Sequence, residues 1–331
     1  MSKDKPLLSV EDLVVNFHTL DGVVHALDGV SFDVRKGEIL GLVGETGCGK
    51  TATGLAILNL LPDNSEVAKG RITLEGDEIL HKSAAYKANI RGRKIAMIFQ
   101  DPASSLNPVF SIGAQLLDVL RIYNKDTDED ALRKVAHEKL SMVELPDPES
   151  VMKLYPHELS GGMQQRVIMA IALSSSPILL IADEPTTALD VTIQAQLLVL
   201  LKRLKDTLGL SVLLITHNLG VVRELCDMIA IMYAGSVVEV AKTDRIFKNP
   251  LHPYTRGLIS SVVTGRLRGK VLHHIAGSVP SLLDPPQGCR FHPRCSYAIG
   301  VCKQNPPELL EIEDGHFVAC YNMPKEPWWR T

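Results

Sequence analysis

The chain of 331 residues is 45% hydrophobic and 22% charged, with a formal net charge of −3. That composition excludes a disordered or fibrous chain and predicts a soluble globular protein of two or three domains. Its near-neutral balance also argues against a general nucleic-acid binder, which would carry a basic face or tail.

In chain order, "MSKDKPLLSVEDL" has basic residues but no apolar run of about 7–15 residues behind them, so no secretory signal is predicted. The alternating "VVNF" that follows reads as a strand containing Phe17. Residues 37–58, "GEILGLVGETGCGKTATGLAIL", are the most informative. A short buried strand from Glu38 to Val43 leads into Gly44-Glu-Thr-Gly-Cys-Gly49-Lys50-Thr51, which fits G-x-x-x-x-G-K-[ST], and a helix follows. Glycines let the backbone turn its N–H groups onto an anion, and the helix directs its positive end at the phosphates. Lys50 would reach the β/γ oxygens, and Thr51 would offer a hydroxyl to Mg²⁺. Cys48 is expected to serve as a small residue within the loop.

Residues 158–173, "ELSGGMQQRVIMAIAL", place Ser160-Gly161-Gly162 ahead of a helix, a second anion-binding helix start. One γ-phosphate does not need two such starts, so this one is expected to serve a nucleotide held by another subunit. The apolar run from Val167 is broken by Ser-Ser-Ser-Pro and ends on acids, which excludes it as a membrane span. In "PILLIADEPTTALD", residues 177–190, Ile178–Ala182 reads as a strand buried on both faces and ending in Asp183-Glu184. Strand C-terminal ends are where α/β sheets bind ligands. Asp183 is the expected Mg²⁺ partner and Glu184 the group that polarises an attacking water. The strand "SVLLIT" then precedes His217, and Cys226 in "VRELCDMIAIM" reads as a buried small hydrophobe.

The set resembles the ATP-binding cassette (ABC) ATPases. Phosphate loop 44–51, Gln100 in "MIFQDP", "LSGGMQQR" at 159–166, "ILLIADE" at 178–184, "TALD" at 187–190 and His217 in "LLITHN" follow the order of that family. The resemblance implies an α/β phosphate-loop nucleotide-binding domain over residues 1–248, with a parallel core sheet, an N-terminal antiparallel β portion and a helical subdomain inserted at about 101–168. It implies head-to-tail pairing that sandwiches two ATP molecules. On one face Phe17 would stack on adenine while Gly44, Glu45, Thr46, Gly47, Cys48, Gly49, Lys50, Thr51 and Ala52 wrap the phosphates. Ser160, Gly161, Gly162 and Gln164 would contact the partner's nucleotide, and Asp190 would lie in the loop crossing to the partner. Gln100 would touch Mg²⁺ and the attacking water, so that Thr51, Gln100 and Asp183 hold the ion. Glu184 would be the general base, and His217 would contact the γ-phosphate.

A repair ATPase would place a long coiled coil in the interval of about 110 residues between loop and signature, where no heptads occur. A translation factor would repeat the cassette, and an exporter would fuse membrane helices. What remains is a stand-alone cassette. "FQDPASSLNPVFSIGAQL", "NPLHPYTRGLISSV" and "IAGSVPSLLDPPQGCRFHPRC" resemble the ATPase subunits of dipeptide and oligopeptide importers. That resemblance implies a second, related ATPase as partner in a heterodimer, two permeases, an external binding protein, and a peripheral position on the cytoplasmic face of the membrane. Some members of the group move nickel or oligosaccharides instead.

Residues 249–331 are expected to form a small C-terminal domain. Cys289, Cys295, Cys302 and Cys320 are spaced C-x5-C-x6-C-x17-C. A reducing compartment disfavours disulfides and leaves a four-thiolate metal site. Structural zinc sites pair their ligands more closely, whereas looser spacing is compatible with an iron–sulfur cluster. The resemblance implies a [4Fe–4S] cluster at these positions, with Zn²⁺ as the alternative and a structural staple as the expected role. Arg290 and Arg294 would either offset thiolate charge or be solvated. His292 and His316 would be surface or hydrogen-bonding histidines.

Overall fold

The computed structural model describes residues 5–101, 105–187, 189–261 and 275–324. Pro102, Ala103 and Ser104 of "FQDPASSL", Ala188 of "TALD", and residues 262–274 and 325–331 of the expected C-terminal domain lie outside that set. The chain divides into two compact units, 1–82 with 214–331, and 83–213.

In the first unit β1 (Leu8–Thr19) and β2 (Gly22–Val34) form an antiparallel hairpin that places Phe17 opposite Val24. β3 (Ile39–Val43) is buried along its whole length, as a strand covered on both faces must be. β4 (Ser65–Leu74) and β5 (Asp77–Glu78) complete a sheet of order β2-β1-β4-β5. A second set runs β11-β12-β10-β9-β3, from β9 (Met228–Tyr233), β10 (Ser236–Lys242), β11 (Leu310–Glu313) and β12 (His316–Val318). β3 is parallel to β9, and the remaining pairs are antiparallel. Gly41 lets the helix Leu219–Leu225 approach this face, because a Cβ there would sit 2.9 Å from the Cys226 sulfur. Cys226 is accordingly buried as expected.

β12 extends the sheet through β10, so residues after 248 are not set apart as a compact unit of their own. A buried carboxylate fastens this end. Glu239 accepts hydrogen bonds from the Leu251 and His252 N–H groups at 2.8 and 2.9 Å and pairs with His316 Nε2 at 2.7 Å. A buried charge is tolerable only when its lone pairs are met in this way.

In the second unit β6 (Ile95–Ile98) pairs in parallel with β7 (Leu179–Asp183), so the unit is wider than the expected 101–168 helical insertion. Its helices Ile112–Tyr123, Glu129–Met142, Gly161–Ala172 and Val191–Leu208 start on Ser111, Asp128, Ser160 and Asp190. Each cap side chain accepts a first-turn N–H, as short polar residues do at helix starts. The helix Glu129–Met142 ends on two cations: Arg166 donates to the Val143 carbonyl at 2.8 Å and Arg203 to that of Met142 at 2.9 Å. The unit boundary falls within β8 (Ser211–Thr216). Among the described residues no helix is long and apolar enough to cross a membrane.

Candidate functional site

The phosphate loop follows β3 and opens the helix Lys50–Leu58. Gly47 and Gly49 adopt φ of 81° and 101°, left-handed conformations that favour glycine. Gly44 is required for a different reason: a Cβ there would lie 2.1 Å from the Met232 carbonyl oxygen. Lys50 is buried, and its Nζ folds back on the loop, donating to the Gly44 and Glu45 carbonyls at 2.8 and 3.0 Å. Thr46, Gly47 and Thr51 are exposed, with Ala52 half-buried behind them. The loop is thus a cradle whose cation rests on its own carbonyls and whose outer rim is open to an anion. Cys48 is 1% exposed, and burial raises its thiol pKa, as suits a packing residue.

Phe17 is half-buried on β1 between Val24 of β2 and Ser65 of β4. His217 is exposed immediately after β8, ahead of a helix capped by Asn218.

Glu45 is held at three points. Its carboxylate pairs with Arg294 at 2.8 Å, its N–H donates to the Tyr254 hydroxyl at 3.1 Å, and its carbonyl accepts Lys50. Burial, reinforced by the Glu45 carboxylate, pushes the Tyr254 hydroxyl well above the ordinary phenol range, so it stays protonated. Neither Tyr254 nor Arg294 was legible as a loop partner, because Arg294 lies 249 residues along the chain.

In the second unit Asp183 is buried at the end of β7. Glu184 follows with φ of 45°, an unfavourable conformation for a non-glycine residue. Its carboxylate accepts from Thr187 Oγ1 at 2.9 Å and from Gln100 Nε2 at 3.3 Å, so two of the expected site residues, Gln100 and Glu184, meet. Thr187, the first residue of "TALD", carries no sequence signal for this contact, which depends on the turn after β7.

Ser160 caps the signature helix by accepting the Met163 N–H. Gly161 faces Leu189, and Gly162 leaves room for Ile193, whose Cγ2 a Cβ would meet at 2.7 Å. Gln164 turns inward and donates to the Pro156 and Leu159 carbonyls at 2.8 and 3.3 Å, bracing the segment before the signature. The Asp190 carboxylate is used as a helix cap, accepting from Thr192 and Ile193.

Cys289, Cys295, Cys302 and Cys320 line one pocket with His252 and Phe291. All are free thiols. Among the described residues no group of three or more His, Cys, Asp or Glu side chains is arranged to hold a metal ion, so the expected four-thiol donor set is not shown. Burial pushes the Cys289, Cys295 and Cys320 thiols up, Cys320 to about 11. The flanking arginines are neither solvated nor paired with the cysteines: Arg290 pairs with Asp28 at 3.0 Å and Arg294 with Glu45, both arginine side chains being buried. His292 bonds the Cys289 carbonyl at 3.0 Å.

The ABC transporter family profile matches residues 27–187, and that of the oligopeptide/dipeptide transporter C-terminal region matches 238–302. A probable peptide ABC transporter ATP-binding protein of Sinorhizobium fredii is 49% identical, over 95% of this chain and 94% of its own. The dipeptide transport ATP-binding protein DppD of Bacillus subtilis is 46% identical over 95% and 94%. The oligopeptide transport ATP-binding protein OppD of Escherichia coli is 43% identical over 97% and 94%. Among solved structures, an ATP-binding cassette captured as a dimer after hydrolysis with ADP and phosphate aligns with a TM-score of 0.64 at 27% identity, covering 71% of this chain and 98% of that one.

The fold and motifs are those of an ABC nucleotide-binding domain, and the chain belongs to the ABC ATPases. Within them its likeness extends through the C-terminal region of the oligopeptide/dipeptide transporter group.

Proposed function

We propose that this chain is the ATP-hydrolysing subunit of a membrane importer of dipeptides or oligopeptides. The observation that carries this reading is likeness to peptide-transport ATP-binding proteins over 95% of the chain, including the region after the cassette. Residues 1–248 are the nucleotide-binding domain and 249–331 its appended region.

Phe17 stacks on adenine. The loop from Gly44 to Ala52 wraps the phosphates, and Lys50 exchanges its loop carbonyls for β/γ oxygens. Thr51, Gln100 and Asp183 are the residues that would hold Mg²⁺, which when bound neutralises the phosphate oxygens. The exposed Thr51 hydroxyl and the Asp183 carboxylate at a strand end suit a hard cation. Glu184, oriented by Gln100 and Thr187, takes the proton of the attacking water as it adds in line to the γ-phosphorus. His217 contacts the γ-phosphate. Ser160, Gly161 and Gly162, with Gln164 and Asp190 positioning their surroundings, close over a nucleotide held by a second, related ATPase. Closure and hydrolysis drive two permeases, which receive cargo from an external binding protein and hold the chain peripherally on the cytoplasmic face of the membrane. A [4Fe–4S] staple at Cys289, Cys295, Cys302 and Cys320 rests on the resemblance of their spacing to that of the peptide-importer group, and the four line one pocket.

The test is reconstitution of the chain with its genomic neighbours in vesicles. Peptide-loaded binding protein should stimulate ATP hydrolysis, whereas stimulation by nickel or an oligosaccharide instead would replace the cargo assignment. Anaerobic purification with iron and zinc quantified decides the cofactor; one zinc per chain without iron refutes the cluster.

A further inference from the structure

Of the two arginines that flank the first pair of tail cysteines, Arg294 binds the phosphate loop directly and Arg290 binds the turn beside it. Arg294 reaches the Glu45 carboxylate with both terminal nitrogens, at 2.8 and 3.3 Å, while its side chain is only 6% exposed. Its other donors are committed to the Ala276 and Ile275 carbonyls at 3.0 and 3.2 Å, so the fork has one orientation. The guanidinium also lies over the Tyr233 ring, 5.8 Å from the centroid. Arg290 donates to the His25 carbonyl at 3.1 Å and to that of Ala234. The adjacent Gly235 N–H then donates to the Cys48 carbonyl of the loop at 2.9 Å.

Tyr254 completes the arrangement. It packs against Tyr233 and Phe291, with ring centroids 4.6 and 5.4 Å away, and presents its hydroxyl to the Glu45 N–H. The short turn His292–Arg294 that projects Arg294 is closed by an Arg294 N–H to Phe291 carbonyl bond of 3.0 Å. Rigid aromatic packing and a short turn therefore mount both contacts on Glu45.

We propose that Arg294 and Tyr254 are positioning residues for ATP binding: they clamp Glu45 so that the phosphate loop is preformed around Lys50. The inference rests on the reading of this loop as the ATP site. A preformed loop binds without first ordering itself, so loosening it weakens affinity while leaving the hydrolytic groups untouched. With Arg294 buried and Glu45 partly exposed the pair is screened less than a surface pair, and its charge-assisted hydrogen bonds are stronger than neutral ones.

The test is the Kd for ATP of the full-length chain at fixed Mg²⁺, measured by calorimetry, together with KM and kcat in the assembled complex. Arg294→Met and Glu45→Gln should each weaken ATP about fivefold to tenfold. Combined, they should weaken it no further than the worse single change, because they break the same contact. Arg294→Lys should recover part of the loss. Tyr254→Phe, which keeps the packing ring and removes only the acceptor, should weaken ATP about threefold. KM should rise with kcat within twofold. If Arg294→Met does not fold, Arg294→Lys and Tyr254→Phe carry the test. The proposal is overturned if these variants bind ATP as wild type does, or if the double variant loses the product of the two single effects. Lys50→Ala separates the two levels: wild-type ATP binding by that variant would remove the loop itself as the ATP site, whereas its loss beside an unaffected Arg294→Met removes only the clamp.

Discussion

Gln100 donates to the Glu184 carboxylate at 3.3 Å, joining the second residue after β6 to the first after β7. The two are 84 positions apart and meet because their strands are parallel neighbours. A carboxylate held this way keeps one orientation while remaining half-exposed to water.

Glu184→Gln is therefore expected to reduce hydrolysis at least roughly 100-fold, since a positioned general base contributes that much. ATP binding should persist and a closed dimer should accumulate. Phosphate release with size-exclusion chromatography in ATP checks both. Hydrolysis at the wild-type rate would contradict the assignment of the base.

Gly44 and Gly47 separate close approach from conformation. Gly44→Ala drives a methyl into the Met232 carbonyl, 2.1 Å from the built Cβ, so the loop must shift and ATP binding should be lost. Gly47→Ala meets nothing within 4 Å and bears only the left-handed φ of 81°, about 1 kcal/mol. Thermal unfolding and ATP titration of the two variants should rank Gly44→Ala as the more severe. Equal losses would contradict this account of the loop.

His252 makes stability depend on acid. Burial pushes its imidazole from 6.5 down to about 4, the nearby Glu239 carboxylate offsetting this only in part. Below pH 6.5 the unfolded chain takes up a proton that the folded chain refuses, so stability is level above about pH 7 and falls toward pH 4, by about 3 kcal/mol. His252→Asn keeps an acceptor for the Tyr254 N–H at the helix start and should flatten this part of the curve. Urea unfolding of both proteins at pH 7, 5.5 and 4.5 measures the difference, and parallel curves would refute it.

Replacing Cys289, Cys295, Cys302 and Cys320 together by serine should act first on folding and assembly. Each hydroxyl placed in the pocket without a partner costs about 1–3 kcal/mol. A lowered thermal midpoint and poorer co-purification with the permeases are the expected results; an unchanged, stable complex would count against a staple.

Local patterns were legible wherever one segment carries its own physics. The loop's glycines, the helix start at Ser160 and the unbroken apolar runs of β3 and β7 each depend on neighbours a few residues away. Asp190 shows where this ends: its place in "TALD" was plain, but its use as a helix cap needed the helix behind it.

By itself the sequence determined the nucleotide chemistry, because the residue types and short spacings of an anion cradle and an acidic strand end admit few alternatives. Only the tertiary structure decided where the tail arginines go. Arg290 and Arg294 sit beside cysteines in the chain, yet they pair with Asp28 and Glu45, more than 200 residues away. Buried charge takes whichever opposite charge the fold brings within reach, and proximity in sequence does not decide which that is.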